Sequence, residues 1–271
     1  MNIKGKFTIQ MQKDSIDASQ YTLPVNMPDV TEIPVIMHVK GLSHMAVIAL
    51  AGIPASEQSR HSIRQVLHPE EIDLYDRFTA STRKQTYLMG RYVAKSALQV
   101  FISRKFPEIH ISTGKNGSPV IEGSHGSNVH ISISHCKDVA VAVAFKRELQ
   151  MAVDIERARP DKTEVLRKEL TGNYQVMETL DNICELNLLT MLWTIKEAAS
   201  KLSGKGIHGD HTQYDVCKIV PHKDRYTGQF SYDSSYRFDT CCYQDLVLTL
   251  VYPSEVILEM DNPLMKYAKA N

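Results

Sequence analysis

The sequence lacks most of the features that would narrow its chemistry at once. Its five cysteines, Cys136, Cys184, Cys217, Cys241 and Cys242, are odd in number and contain no CxxC pair. That spacing offers neither a zinc ligand set nor a disulfide framework, so reduced thiols in a cytoplasmic protein are expected. There is no Walker loop and no GxGxxG, so neither common nucleotide-binding fold is indicated. No GxSxG elbow is present, and Ser134 and His135, adjacent on a strand, would point to opposite faces, which argues against a serine hydrolase. No charge excess exists: Lys plus Arg and Asp plus Glu number 31 each. The balance argues against a nucleic-acid partner. Long apolar runs are missing too. The stretch 46–53, interrupted only by Gly52, is too short to span a bilayer. The opening MNIKGKFTIQMQKDS has no apolar core of signal-peptide length. A soluble protein without a membrane partner is expected.

What is present is enough apolar material for a sizeable core, 43% of 271 residues. The length suits one large domain or two of about 130 residues. Residues 1–30 are polar and without clear period, a loose leader or an irregular first strand. Strand-like pieces occupy 33–51. His68-Pro69-Glu70-Glu71 has the Pro and first-turn acids of a helix start, and helical pattern runs from there to 105, broken near 79–82. The Gly- and Ser-rich stretch 114–126 reads as loop. Alternation marks 130–135 as a strand. The apolar runs 139–145 and 151–156, separated by a polar turn, read as an antiparallel pair. Helices are expected over roughly 161–180 and 185–203, then strands at 214–220, 226–232, 236–243 and 245–252.

One internal echo bears on the fold class. Tyr87, Arg91 and Lys95 are spaced four and four, and Trp193, Glu197 and Lys201 repeat that spacing 106 residues later. Each set lies along one side of a long helix followed by strands. The pattern suggests an α+β fold, a pseudo-twofold pair of similar α+β lobes, 1–148 and 149–271, with a ligand cleft between them.

Candidate chemistry gathers in the second half. Asp154 and Glu156 stand at i and i+2 on a strand, on one face, with Cα atoms about 6.6 Å apart. They can converge on a hard cation, and Mg²⁺ is favoured because no His or Cys adjoins them. A solvated strand end explains the pair equally well. Glu197 and Lys201 lie one turn apart on an amphipathic helix, where an ordinary surface ion pair is the bland explanation. Lys115 in the flexible loop, Ser134 and His135 at a strand end, and Arg83 and Arg91 on the basic helix are candidates to meet phosphates.

Taken together, the motifs look familiar. VDIE at 153–156 followed by WTIKEAASK at 193–201 resembles the paired signature of the 4′-phosphopantetheinyl transferase superfamily. ISISHCKDVAVAVA resembles its SHS-containing segment, GKNGSP at 114–119 its GKP loop, and 78–98 the first-half helix of its longer, two-lobed members. The sequence departs from the pattern at Asn116, Ala152, Ser132 and Cys136, none of which removes an ionisable group. The resemblance implies transfer of the 4′-phosphopantetheine group of coenzyme A to a serine of an apo carrier protein. It implies Mg²⁺ on Asp154, Glu156 and Glu197, with Glu197 as base and Lys201 at the leaving 3′,5′-ADP. Lys115, Ser134 and His135 would contact coenzyme A, assisted by Arg83 and Arg91. Because both lobes lie on one chain, a monomer is expected. A Mg²⁺-dependent nucleotide phosphohydrolase and a non-catalytic carrier-binding module are the alternatives.

Overall fold

The computed structural model describes residues 24, 26–54, 56–114, 116–123, 128–177, 180, 183–203 and 212–270. Lys115 and nearly all of the expected leader fall outside the described residues.

Two five-stranded sheets lie face to face between two long helices. The first is built from β1 (Thr31–Val39), β2 (Leu42–Gly52), β5 (Val129–His135), β6 (Val139–Lys146) and β12 (Ile257–Glu259), in the order β12-β1-β2-β6-β5. The second is built from β7 (Ala152–Arg157), β8 (Val216–His222), β9 (Arg225–Phe230), β10 (Tyr236–Tyr243) and β11 (Leu246–Pro253), in the order β7-β11-β10-β9-β8. Strands β3 (Ile111–Thr113) and β4 (Pro119–Ile121) form a separate hairpin. The strand pairs are antiparallel, and several turns hold just two residues. In the β1–β2 turn Lys40 and Gly41 both have positive φ, 49° and 81°, the conformation whose twist matches the flanking strands.

Period-2 alternation sorts the side chains into layers. In β6, VAVAVAFK, Val139, Val141, Val143 and Phe145 face the second sheet, while Ala140, Ala142 and Ala144 face α3 (Ser81–Leu98). In β11, Leu246, Leu248, Leu250 and Tyr252 face the first sheet; Val247 and Val251 face α6 (Glu185–Ser203) with Leu189, Leu192 and Ile195. The small alanines let α3 approach closely. A Cβ at Gly90 would stand 3.3 Å from Ile133 Cγ2 on β5.

The two halves share an element order. Strand β2, helix α3, the β3–β4 hairpin, β5 and β6 correspond to β7, α6, β8–β9, β10 and β11, and in both the pairing runs β2-β6-β5 or β7-β11-β10. This is the mixed α+β architecture expected. We propose the lobe boundary at 148/149, in the turn between β6 and β7. The chain nevertheless returns across it: β12 pairs with β1, and α7 (Pro263–Ala270) packs on β1, β2 and β10.

Several expectations need correction, among them the loop expected over 114–126, which contains β4, and the helical pattern expected to 105, where α3 ends at Leu98. Strands β6 and β7 are not partners: β6 bonds to β2 and β5, and β7 to β11. Their apolar faces meet across the inter-sheet core instead, which buries both runs more completely than a two-stranded hairpin would. The helix expected over 161–180 is broken into α4 (Thr163–Glu169), a 3₁₀ turn and α5 (Tyr174–Met177). The polar helix α1 (Glu57–Arg64) was not expected; it is capped by Ser56, whose hydroxyl accepts from Ser59 N at 3.1 Å. The break between α2 (Pro69–Arg77) and α3 falls at 78–80. All five cysteines are free. Among the described residues no helix is long and apolar enough to cross a membrane.

Candidate active site

The two edge strands β5 and β7 run beside each other where the sheets meet, and side chains stitch them together. Ser132 Oγ accepts from Val153 N at 3.2 Å, and Ser134 Oγ donates to Asp154 Oδ1 at 2.6 Å. Helix α6 reaches the same seam. Lys201 Nζ donates to Asp154 Oδ1 at 2.8 Å and to Val153 O at 2.8 Å, with a longer contact of 3.4 Å to Ile133 O. One lysine thus touches both lobes. The helix is itself seated by a buried hydroxyl chain, Thr194 to Thr249 and Thr249 to Thr240, each 2.8 Å.

Three carboxylates collect beside this lysine. Asp154 is 4% exposed, and among the described residues its buried Oδ2 has no hydrogen-bond partner. Burial pushes Glu156 up to about 7, helped by the negative charges of Asp154 and Glu197. Glu197 is likewise raised to about 7, first by burial and then by Asp154, with Lys201 opposing. Like charges forced together out of water hold protons that isolated carboxyls would release.

A magnesium ion is implied by the motifs, and the donors fit one. Hard divalent cations take oxygen ligands, and here an orphaned carboxylate oxygen lies beside two carboxyls that positive charge would ionise. The three carboxylates stand more loosely than ligands closed on an ion. Among the described residues the one group of three donors within 4.8 Å of one another is elsewhere, at His68, Glu70 and His110.

The remaining candidates divide. His135 is exposed at the end of β5, yet surrounding protein lowers its pKa, and the charges of Lys201 and Arg83 lower it further. Arg83 itself lies over the Phe78 ring, its guanidinium carbon 5.1 Å from the centroid, and acts on His135 only through its charge. Arg91 does not reach the acids. Its guanidinium lies 4.6 Å from the Tyr87 ring and 3.3 Å from Glu71, in the buried layer under α2. Lys95, its neighbour one turn on, is fully buried and bonds Glu71 at 2.6 Å, Val66 O at 2.9 Å and Phe106 O at 3.0 Å. The echo with Glu197 and Lys201 is therefore one of position and not of chemistry. Inside WTIKEAASK, Lys196 is buried in an ion pair with Asp215 at 2.5 Å, which also accepts from Asn173 at 3.1 Å. That pair anchors α6 to the segment before β8. Ser132, which joins the strands, was noted on sequence only as a departure, and nothing local marks it as a cross-lobe acceptor.

With this geometry established, known proteins place the chain. A family model for the 4′-phosphopantetheinyl transferase N-terminal domain matches residues 75–145, and one for the 4′-phosphopantetheinyl transferase superfamily matches residues 150–251. The chain belongs to the 4′-phosphopantetheinyl transferase superfamily. It is 24% identical over 156 residues to 4′-phosphopantetheinyl transferase HetI of a Nostoc species, covering 56% of this chain and 65% of that protein. It is 36% identical over 93 residues to a holo-[acyl-carrier-protein] synthase of Geobacillus kaustophilus, covering 32% of this chain and 71% of that one. A crystal structure of a Bacillus anthracis holo-(acyl-carrier-protein) synthase with CoA (3′,5′-ADP) aligns at 21% identity and TM-score 0.33, over 43% of this chain and 97% of its own.

Proposed function

We propose that this protein transfers the 4′-phosphopantetheine group of coenzyme A to a serine hydroxyl of an apo carrier protein, releasing 3′,5′-ADP, with Mg²⁺ as cofactor. The observation that carries the reading is the meeting of Asp154, Glu156, Glu197 and Lys201 with Ser134 at the seam of two lobes.

In this reading Asp154, Glu156 and Glu197 would hold Mg²⁺. Bound there, the ion would neutralise charge on the coenzyme A pyrophosphate. Glu197 accepts the proton of the carrier serine as its oxygen bonds to the β-phosphorus and the bond to 3′,5′-ADP breaks. Its proton affinity, raised by burial and by Asp154, would fall with a cation beside it, so it would meet the carrier serine as a carboxylate. Lys201 offers positive charge to the departing phosphate. Ser134 holds Asp154 in place through Oδ1, leaving Oδ2 for the cation. His135, kept neutral, donates or accepts a hydrogen bond without adding charge, while Arg83 and the loop lysine Lys115 supply it. Arg91 acts at most by supporting α3. The chain works as a monomer, since all these groups lie on one polypeptide, and in the cytoplasm, where its five free thiols stay reduced.

Incubation with coenzyme A, Mg²⁺ and a panel of apo carriers, read by intact mass, tests the reading. A carrier that gains the phosphopantetheine mass supports it. Release of 3′,5′-ADP without any carrier gaining mass indicates a nucleotide phosphohydrolase, and neither event indicates a binding module.

A further inference from the structure

Away from the acid cluster, two imidazoles and a carboxylate converge where α2 begins and β3 starts. His68 is the N-cap of α2, Glu70 sits in its first turn, and His110 immediately precedes β3. The His68 and His110 rings stack with centroids 4.6 Å apart and planes 12° from parallel. His110 Nε2 lies 3.8 Å from Glu70 Oε2. One donor atom from each of the three falls within 4.8 Å of the others.

We propose that His68, Glu70 and His110 form a second metal site, selective for a zinc-like transition ion, that clamps the start of α2 to the entrance of β3. The donor types decide the class of ion. Two imidazoles and one carboxylate suit Zn²⁺, which leaves a fourth position for water, whereas Mg²⁺ prefers oxygen alone. Donors around a four-coordinate ion at about 2.0–2.1 Å stand roughly 3.4 Å apart. The 3.8 Å separation of His110 and Glu70 is already near that value.

Both the ring orientation and the protonation of His68 must change for this to work, because stacked rings 12° from parallel do not aim both nitrogen lone pairs at one ion. Its Nδ1 accepts from Glu70 N at 3.3 Å, which places the ring proton on Nε2. Ligation through Nε2 moves that proton to Nδ1 and gives up the long cap bond. The helix start survives, because Glu71 Oε2 still accepts from His68 N at 2.9 Å.

The clamp has a mechanical consequence. Glu71 Oε1 already accepts from Ile111 N at 3.0 Å, so α2 and the first residue of β3 are joined beside the proposed site. Strand β3 leads directly into the turn closed by Gly114 N to Ser118 O at 2.8 Å. A metal at His110 adds a second tie at the root of that turn.

The experiment uses the full chain, stripped with a chelator and returned to excess Mg²⁺ so that the acid cluster is supplied. Zn²⁺ is then titrated by calorimetry, and Co²⁺ by visible absorption. One equivalent of Zn²⁺ is expected, with Co²⁺ giving d–d bands free of thiolate charge transfer. His110→Ala and Glu70→Gln are each expected to weaken Zn²⁺ at least about tenfold. His68→Asn is expected to do the same while keeping a capping side chain, so loss of the helix is not the cause. No Zn²⁺ uptake over Mg²⁺, undiminished uptake in His110→Ala or His68→Asn, or thiolate charge transfer from the cysteines would each overturn the proposal. Transfer activity is not a readout, so failure here leaves the proposed reaction as it stands.

Discussion

Substituting Lys201 by Met separates two things this lysine does. In the folded protein its ammonium bonds Asp154 Oδ1 and Val153 O, each at 2.8 Å, with a weaker contact to Ile133 O at 3.4 Å. Removing it leaves Asp154, 4% exposed, with one hydroxyl bond on Oδ1 and none on Oδ2. A hydrogen bond to a charged group contributes about 1.5–3 kcal/mol. The Lys201 side chain is 29% exposed, so water enters in its place and solvent screening discounts that figure. A net loss of about 1–2 kcal/mol is expected. For a protein of this size that lowers Tm by roughly 2–8 °C. The Asp154 carboxylate then lacks its cation, so Mg²⁺ should restore more to the variant than to the wild type. Thermal unfolding in chelator and in Mg²⁺ measures both quantities. Alongside, single-turnover transfer is expected to fall at least about 10²-fold with coenzyme A still bound. A Tm in chelator within about 1 °C of wild type, or a rate above a tenth of wild type, would refute the respective half of the reasoning.

Four further outcomes are expected. Glu197→Gln should lower single-turnover transfer by about 10²–10⁴-fold with coenzyme A affinity retained, measured by rapid quench and calorimetry. His135→Ala and Lys115→Ala should raise the KM for coenzyme A more than they lower kcat, because a phosphate contact held in both ground and transition states acts on KM first. Glu156 and Glu197, both raised to about 7, bind more protons folded than unfolded between their ordinary range and pH 7. Their contribution to stability is present at low pH and is lost as pH rises through about 7. Tm in chelator should therefore drop across that interval, and drop less with Mg²⁺; an equal drop in both conditions would contradict the assigned ligands. Lys95→Met should cost about 3–5 kcal/mol in chemical denaturation, because the buried Glu71 loses its ammonium partner and keeps Arg91 as its paired cation.

Much of the site was legible because its signals are local. Period-2 spacing places Asp154 and Glu156 on one strand face, and the helical repeat places Glu197 and Lys201 on one side of α6. The ordered motifs add the family. The capping sequence at His68–Glu71 likewise depends on neighbours in sequence, so the start of α2 could be read closely. Side-chain type and spacing also determined that 139–145 and 151–156 are strands.

Their partners were decided only in three dimensions. A buried apolar strand satisfies its backbone equally well in either sheet, so nothing in 139–156 distinguishes a hairpin from a crossing between layers. The choice follows from burying Val141, Val143 and Phe145 against Val153 and Ile155. The roles of the lysines have the same origin. Lys95, Lys196 and Lys201 occupy similar amphipathic patterns, yet the acid each meets comes from a distant segment: Glu71 on α2, Asp215 before β8, Asp154 on β7. Burial and the chemistry of the facing residue make the first two structural and leave the third at the cleft. The return of β12 to β1 depends on which sheet edge is open, a property no single strand carries.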